Sequence, residues 1–354
     1  MKKLLPLIVI LAIVASCNPD EKKTSVELVI PHLAEPDLSG RVDNSGIAVT
    51  GDASDVSSSK AKLSAYANIP ADADTAIFGI IYTDKFPLSV LTSRMIDASG
   101  TDGDNKYVIP VFGLRPSTEY HYSSFVLIGN NYHFGSIKSF TTTEYTLPGG
   151  AVDLGLSVKW GAANLGADSV EDYGDYFAWG EIEPHYYSRN PMIWREGKES
   201  GYFNDCYAWL DSSIDEFTKY CTRGDYGPVD DKTVLDMEDD AAYALLGEKW
   251  RMPTPDEWWE LISNCSRTWT SENGVNGLLL TGPNNNSIFL PYTGYYSGTT
   301  LCDSGHWGDW WISSLDASQP YYAKVGNLTG DYDYIGETRF QRCDGLAIRP
   351  VMEY

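Results

Sequence analysis

The sequence predicts a β-sandwich domain followed by an α+β domain. Three observations carry that prediction. Residues 25–146 hold short runs of alternating apolar and polar residues separated by Gly, Asn, Asp and Pro, the pattern of antiparallel strands joined by tight turns. At Leu147-Pro148-Gly149-Gly150 the pattern changes, and these four residues read as a hinge. Beyond them, residues 238–265 carry two well-punctuated helix starts, with strand-like runs after them, which segregates helix from sheet.

Residues 1–17 stand outside that fold. Lys2 and Lys3 form a charged start, Leu4 to Val14 an apolar run, and Val14-Ala15-Ser16-Cys17 closes it. The run is shorter than the ~20 residues that a helix needs to cross ~30 Å of hydrocarbon, so it reads as a cleaved signal. The small residues before Cys17 resemble a bacterial lipobox, which implies acylation of Cys17 and a firm hold on a bilayer. Residues 18–24, NPDEKKT, read as a tether. Asp20 and Glu21 resemble the acidic export signal of surface lipoproteins in Bacteroides-type bacteria. The expected location is therefore the outer membrane, facing the cell exterior.

Composition narrows the partners. The chain of 354 residues has a formal charge of −23, and losing Lys2 and Lys3 with the signal makes it −25 (−23 minus 2). That excess argues against nucleic acid and anionic lipid as partners held by charge. Aromatic residues make up 13% of the chain, with 24 Tyr and 11 Trp, which suits sheet cores and also recognition surfaces. Cys206, Cys221, Cys265, Cys302 and Cys343 remain besides the anchor, an odd number, and no C-x-x-C occurs to suggest a redox pair or a zinc knuckle.

In the first domain, runs such as Lys60–Ile69, Ala76–Thr83, Lys106–Phe112 and Glu119–Ile128 supply the strands. Leu114-Arg115-Pro116-Ser117-Thr118-Glu119-Tyr120 resembles the tyrosine-bearing corner of fibronectin type III domains, and Phe134 to Thr142 resembles their last strand. The resemblance implies a spacer that holds the next domain off the membrane.

In the second domain, 151–354, Asp239 and Asp240 open one helix at the end where the macrodipole favours negative charge, and Gly247 can stop it. Thr254-Pro255-Asp256-Glu257 is a second start, with Thr254 as N-cap and Glu257 closing a capping box. Trp258, Leu261, Ile262 and Cys265 then make one apolar stripe. Residues 182–237 and 292–309 lack clean periodicity and read as loops.

A resemblance runs across nearly all of this domain. Ala151–Trp160, Asn164–Ala167, Glu171–Glu181, Trp250–Thr254, Ser287–Pro291, Trp311–Ser314 and Gly345–Val351 look like the motif series of the Fibrobacter major-paralogous-domain family. That family is similar to the C-type-lectin-like fold shared with formylglycine-generating enzymes. The resemblance implies two helices on a small twisted sheet, long loops, and domain ends that lie close together.

The chemical candidates are few. None of the five histidines sits in an HExxH pattern, and no GxSxG, Walker or GxGxxG motif occurs, so no catalytic, metal or cofactor set is expected. Glu181 and Glu183 are a carboxylate pair in a chain with 49 acidic residues, where chance supplies such pairs. Formylglycine-generating relatives use a late cysteine pair, and for Cys302 and Cys343 a structural disulfide is a plainer expectation than oxidase chemistry. Gly282 to Asn286 and Trp307 to Trp310 only faintly echo the calcium loops of lectins of this fold. Tyr295, Tyr296, His306, Trp307 and Asp309 are the expected ligand-binding residues, with His306, Trp307 and Asp309 as an exposed trio. The expected partner is an extracellular glycan or surface protein. The rivals are an enzyme acting on an extracellular polysaccharide and a structural surface or appendage subunit.

Overall fold

The computed structural model describes residues 45–354 apart from 74, 91–92 and 331–333. The segments read from sequence as a signal (1–17, with Cys17) and a tether (18–24), and the start of the first domain, lie outside the described residues.

The first domain is a β-sandwich. Its strands are β1 (Ala48–Ser54), β2 (Lys60–Ala67), β3 (Ala76–Thr83), β4 (Arg94–Asp97), β5 (Lys106–Phe112), β6 (Glu119–Ile128), β7 (Asn131–Phe134) and β8 (Lys138–Thr141). One sheet runs β1-β2-β5 and the other β4-β3-β6-β7, with β8 pairing the far end of β6. Alternation decides which side chains enter. Along β2, Ala61, Leu63, Ala65 and Ala67 turn inward, and β5 adds Tyr107, Ile109 and Val111. Ile80, Tyr82, Tyr120, Tyr122 and Val126 face them from the other sheet. The Tyr107 hydroxyl crosses the sandwich to donate to the Gly79 carbonyl at 2.7 Å. Tyr120 turns its hydroxyl back to accept the Arg115 amide at 2.9 Å, which fastens the corner before β6.

Residues 147–150, read from sequence as a hinge, form a packed turn. Leu147 is buried with Ala163 and Ala167, and the Gly150 amide donates back to the Leu147 carbonyl at 2.9 Å. Gly149 and Gly150 adopt φ of +70° and +62°, which side chains other than glycine rarely take.

The second half is also mostly strand. Its second and last strands, Lys159–Gly161 and Val351–Met352, pair antiparallel, so the two ends of the region meet in one small sheet. Ala151–Val152 and Trp250–Arg251 flank that pair. Two three-stranded meanders follow: Ser266–Glu272, Val275–Thr281 and Ser287–Pro291, then Trp307–Leu315, Tyr322–Thr329 and Tyr334–Gln341. The helices are short. Helix α1 (Ala241–Leu246) has Asp240 accepting from the Ala242 and Tyr243 amides, and α2 (Pro255–Asn264) carries the expected capping box. Small hairpins, such as Tyr186–Arg189 with Met192–Trp194, occupy the stretches that lacked periodicity.

The stripe of α2 packs as its spacing requires. Trp258, Leu261, Ile262 and Cys265 are buried against Leu278, Leu280, Leu290, Ile312 and Leu328. The Trp258 indole lies edge-on to Trp160 and 6.0 Å from Trp310, and it donates to the Gly336 carbonyl at 2.7 Å. Trp311, on the opposite face of the same strand as Trp310, enters a second core with Phe177, Trp179, Val325 and Leu346. The strand Trp307–Leu315 is therefore covered on both faces.

Candidate functional site

That double coverage overturns the exposed trio. Asp309 is 0% exposed. Its Oδ1 accepts from Asn327 at 2.6 Å, and its amide donates to Thr293 Oγ1 at 3.1 Å. Among the described residues its Oδ2 has no hydrogen-bond partner, and burial pushes the carboxyl up to about 7. Of the three, only His306 is exposed, with Trp307 half-buried. Tyr295 lies half-buried and edge-on to Phe340, with ring centroids 4.6 Å apart. Tyr296 is buried in an aromatic cluster with Tyr176, Tyr186, Trp194 and Tyr202. These five residues do not converge on one open surface.

The expected disulfide is also corrected: Cys302 and Cys343 are free thiols, as are Cys206, Cys221 and Cys265. Cys302 turns its sulfur toward the Thr300 carbonyl, whereas Cys343 is buried and turns toward Gln341 Oε1. Burial pushes the Cys343 thiol up to about 12, which suppresses the thiolate that oxidation needs. Among the described residues, one carboxylate group could suit a cation: Asp236, Glu238 and Asp239. The Lys219 ammonium already sits there, at 2.8, 3.4 and 2.6 Å from the three.

A cleft of about 730 Å³ opens instead between the sandwich and the second half. Its size falls in the range of small-ligand sites. From the sandwich come Lys60 at the start of β2 and the β5–β6 loop with Gly113 and Arg115. The opposite wall holds Asp168, Asp172, Asp175, Glu183, Tyr186, Tyr187, Arg189 and Arg195, with Tyr145 of the connecting segment alongside. The lining thus carries four basic and four acidic side chains.

Arg189 organises the acidic wall. Its guanidinium reaches Asp172 Oδ2 at 3.1 Å and Asp175 Oδ1 at 3.3 Å, and Tyr186 donates to the same Asp175 oxygen at 3.1 Å. Burial pushes the Asp175 carboxyl up to about 6, against the pull of Arg189 and the Tyr186 hydroxyl. Its side chain is still 32% exposed, so the perturbed group remains open to the cleft. Burial would raise Asp172 too, but Arg189 and the Asp168 amide hold it below the usual carboxylate range. The backbone is shaped to bring these groups together. A Cβ on Gly166, at φ +76°, would sit 2.2 Å from Asp175 Oδ2, so only glycine allows the carboxylate so close.

The two walls are joined by charge and stacking. Glu183 accepts from Arg115 of the sandwich at 3.1 Å and from Arg195 at 2.8 Å. Tyr187 lies under two guanidiniums, Arg94 of β4 at 4.6 Å and Arg195 at 4.8 Å from its ring centroid. A Cβ on Gly113 would meet Tyr187 Cδ1 at 2.7 Å, which marks how closely the halves approach. Beyond the 181–184 segment lies a smaller pocket of about 330 Å³. There Glu181 Oε2 bonds His185 Nε2 at 2.7 Å, and Lys198 reaches both groups.

Sequence reasoning missed this site. Glu171–Glu181 had been read for its resemblance to a scaffold motif, and Glu181 and Glu183 as a chance pair. The one local signal was the density of Asp, Tyr and Gly in Asp168–Tyr176, which does not say what the residues face.

No protein-family model matches the chain, and no curated protein matches it. Among solved structures, the chain is similar to the sensor domain of the anti-sigma factor RsgI4 in Pseudobacteroides cellulosolvens. The identity is 18% over 27% of this chain and 92% of that one, with a TM-score of 0.23. It is also similar to a fibronectin type III domain derived from human KIAA0970 protein, at 12% identity over 30% of this chain and 78% of that one, with a TM-score of 0.21. Scores of this size leave function to be argued from the chain's own residues.

Proposed function

We propose that the chain is a surface lipoprotein, anchored through Cys17 in the outer membrane and facing the exterior, that binds an extracellular glycan between its two halves. In this reading the sandwich is fibronectin type III-like, supported by its two sheets and the Tyr120–Arg115 corner. The second half is C-type-lectin-like, supported by the pairing of Lys159–Gly161 near its start with its last strand, Val351–Met352, and by the packing of α2.

The observation that carries the function is the cleft, where four carboxylates and four basic groups, three of them guanidiniums, stand beside tyrosines. Carboxylates accept from sugar hydroxyls, guanidiniums donate to them, and tyrosine offers an apolar face with a polar handle. Asp172 and Asp175 share Arg189 and so lie side by side. Glycoside hydrolysis needs two carboxyls flanking the bond that breaks, so this wall favours binding over turnover.

The test is a glycan array probed with residues 18–354, with and without calcium, beside the Asp175→Ala variant. Binding that disappears in the variant supports the site. A surface protein captured in place of any glycan, or a polysaccharide that is cleaved, would replace this reading. Cys17→Ala in the full chain should release the protein from membranes, and unchanged fractionation would remove the anchor.

A further inference from the structure

The sandwich makes contacts that a passive spacer has no use for. Arg94 is exposed on β4 and bonds Tyr82 of its own domain, and its guanidinium also lies over the ring of Tyr187 of the other half. Arg115, 57% exposed, bridges Asp84 of its own domain at 3.5 Å and Glu183 of the other at 3.1 Å. At Gly113 a side chain would collide with Tyr187 and Arg195 of the opposite wall, at 2.7 and 2.9 Å from its Cβ. These contacts set the width of the cleft and connect the two halves.

Resting on the glycan reading above, we infer that the sandwich is a working wall of the binding site, and that the cleft it closes takes a neutral oligosaccharide. The equal number of acidic and basic side chains in the lining is the reason for neutrality. With the signs in balance, neither a uronate nor an ammonium sugar gains a net attraction to set against the cost of desolvating its charge. A neutral polyhydroxylated chain can use both sets at once, as donor to one and acceptor from the other.

The experiment compares residues 18–354 with the Arg94→Ala/Arg115→Ala double variant, whose altered side chains are exposed and outside both cores. Each is probed with neutral hexose oligomers, uronate-bearing oligomers and deacetylated glucosamine oligomers, and each is melted in a calorimeter. The wild type should bind the neutral oligomers and melt in one shared transition. In the double variant, affinity should fall roughly tenfold or more, and the melting should separate into two transitions. Undiminished binding with an unchanged melting curve in the double variant overturns the inference, and so does a wild type that prefers either charged probe. A wild type that binds none of the three sinks the glycan reading itself. The melting curves then decide the joint: one transition that splits in the double variant supports it, and two separate wild-type transitions overturn it.

Discussion

Arg342 holds its guanidinium 4.4 Å from the ring centroid of Phe217, in the interior of the second half. Trp179, Tyr207 and Tyr220 stand around the same cation. Its nitrogens donate to Tyr207 Oη and to the carbonyls of Lys219, Tyr220 and Pro320, all within 3.0–3.1 Å. One buried side chain thus ties residues 207–221, a stretch without periodicity, to the sheet.

Arg342→Ala would leave several buried acceptors unpaired, each costing about 1–3 kcal/mol. The expected loss is at least about 3 kcal/mol in urea melts. Arg342→Lys should recover little, because an ammonium lacks the planar fork that serves four acceptors. A lysine variant as stable as the wild type would mean that charge alone is sufficient there.

The cap and stripe of α2 should govern stability. Thr254→Ala removes one bond of the capping box and should cost about 1 kcal/mol. Glu257→Ala should cost more, since Glu257 also receives both terminal nitrogens of Arg251, at 2.9 and 2.6 Å. Trp258→Ala should cost about 3–5 kcal/mol, as the indole is fully buried. Binding to the cleft should survive each change at temperatures where the variant stays folded. A folded Trp258 variant that lost binding would assign the site to the helices.

Stability should rise as the pH falls from 8 toward 5. Asp309 and Asp344 have carboxyls pushed up to about 7 by burial, and Asp175 to about 6. Between about 4 and 7 the folded chain binds more protons at these groups than the unfolded chain does, so unfolding free energy falls as pH increases. Below about 4 the trend reverses, because the stability that Glu181, Asp172 and Glu257 contribute through their lowered values is lost there. Asp309→Asn should flatten the profile between pH 5 and 8. An equally steep profile in that variant would remove Asp309 as a cause.

The cysteine assignment is open to a direct count. Residues 18–354, unfolded without reductant, should give five reactive thiols. In the folded state Cys302 should react first, since the other four are buried. A count of three, with Cys302 and Cys343 recovered in one linked peptide, would restore the bridge.

How much was legible from sequence followed from the range of each interaction. The capping box, the α2 stripe and the alternation of β2 depend on neighbours within a few residues, and each formed as its spacing required. Whether Asp309 met solvent did not depend on such neighbours. Residues 292–309 read as a loop with an exposed trio, but Trp307–Leu315 is a strand that α2 covers on one side and the 177–179 segment on the other, both from far along the chain. The late cysteine pair of formylglycine-generating enzymes suggested a bridge between Cys302 and Cys343, but their sulfurs turn to different partners once the sheets pair.

The sequence by itself determined the alternating strands of the first domain, the two capped helices of the second, and a formal net charge of −23. Tertiary structure decided the rest: which tryptophans are interior, which carboxylates share Arg189, and that Arg94 and Arg115 of one domain meet Tyr187 and Glu183 of the other. The reason is physical. Periodicity and capping are set within a turn or two of backbone, whereas a cleft exists only when surfaces about seventy residues apart or more are brought together, and no local pattern encodes that approach.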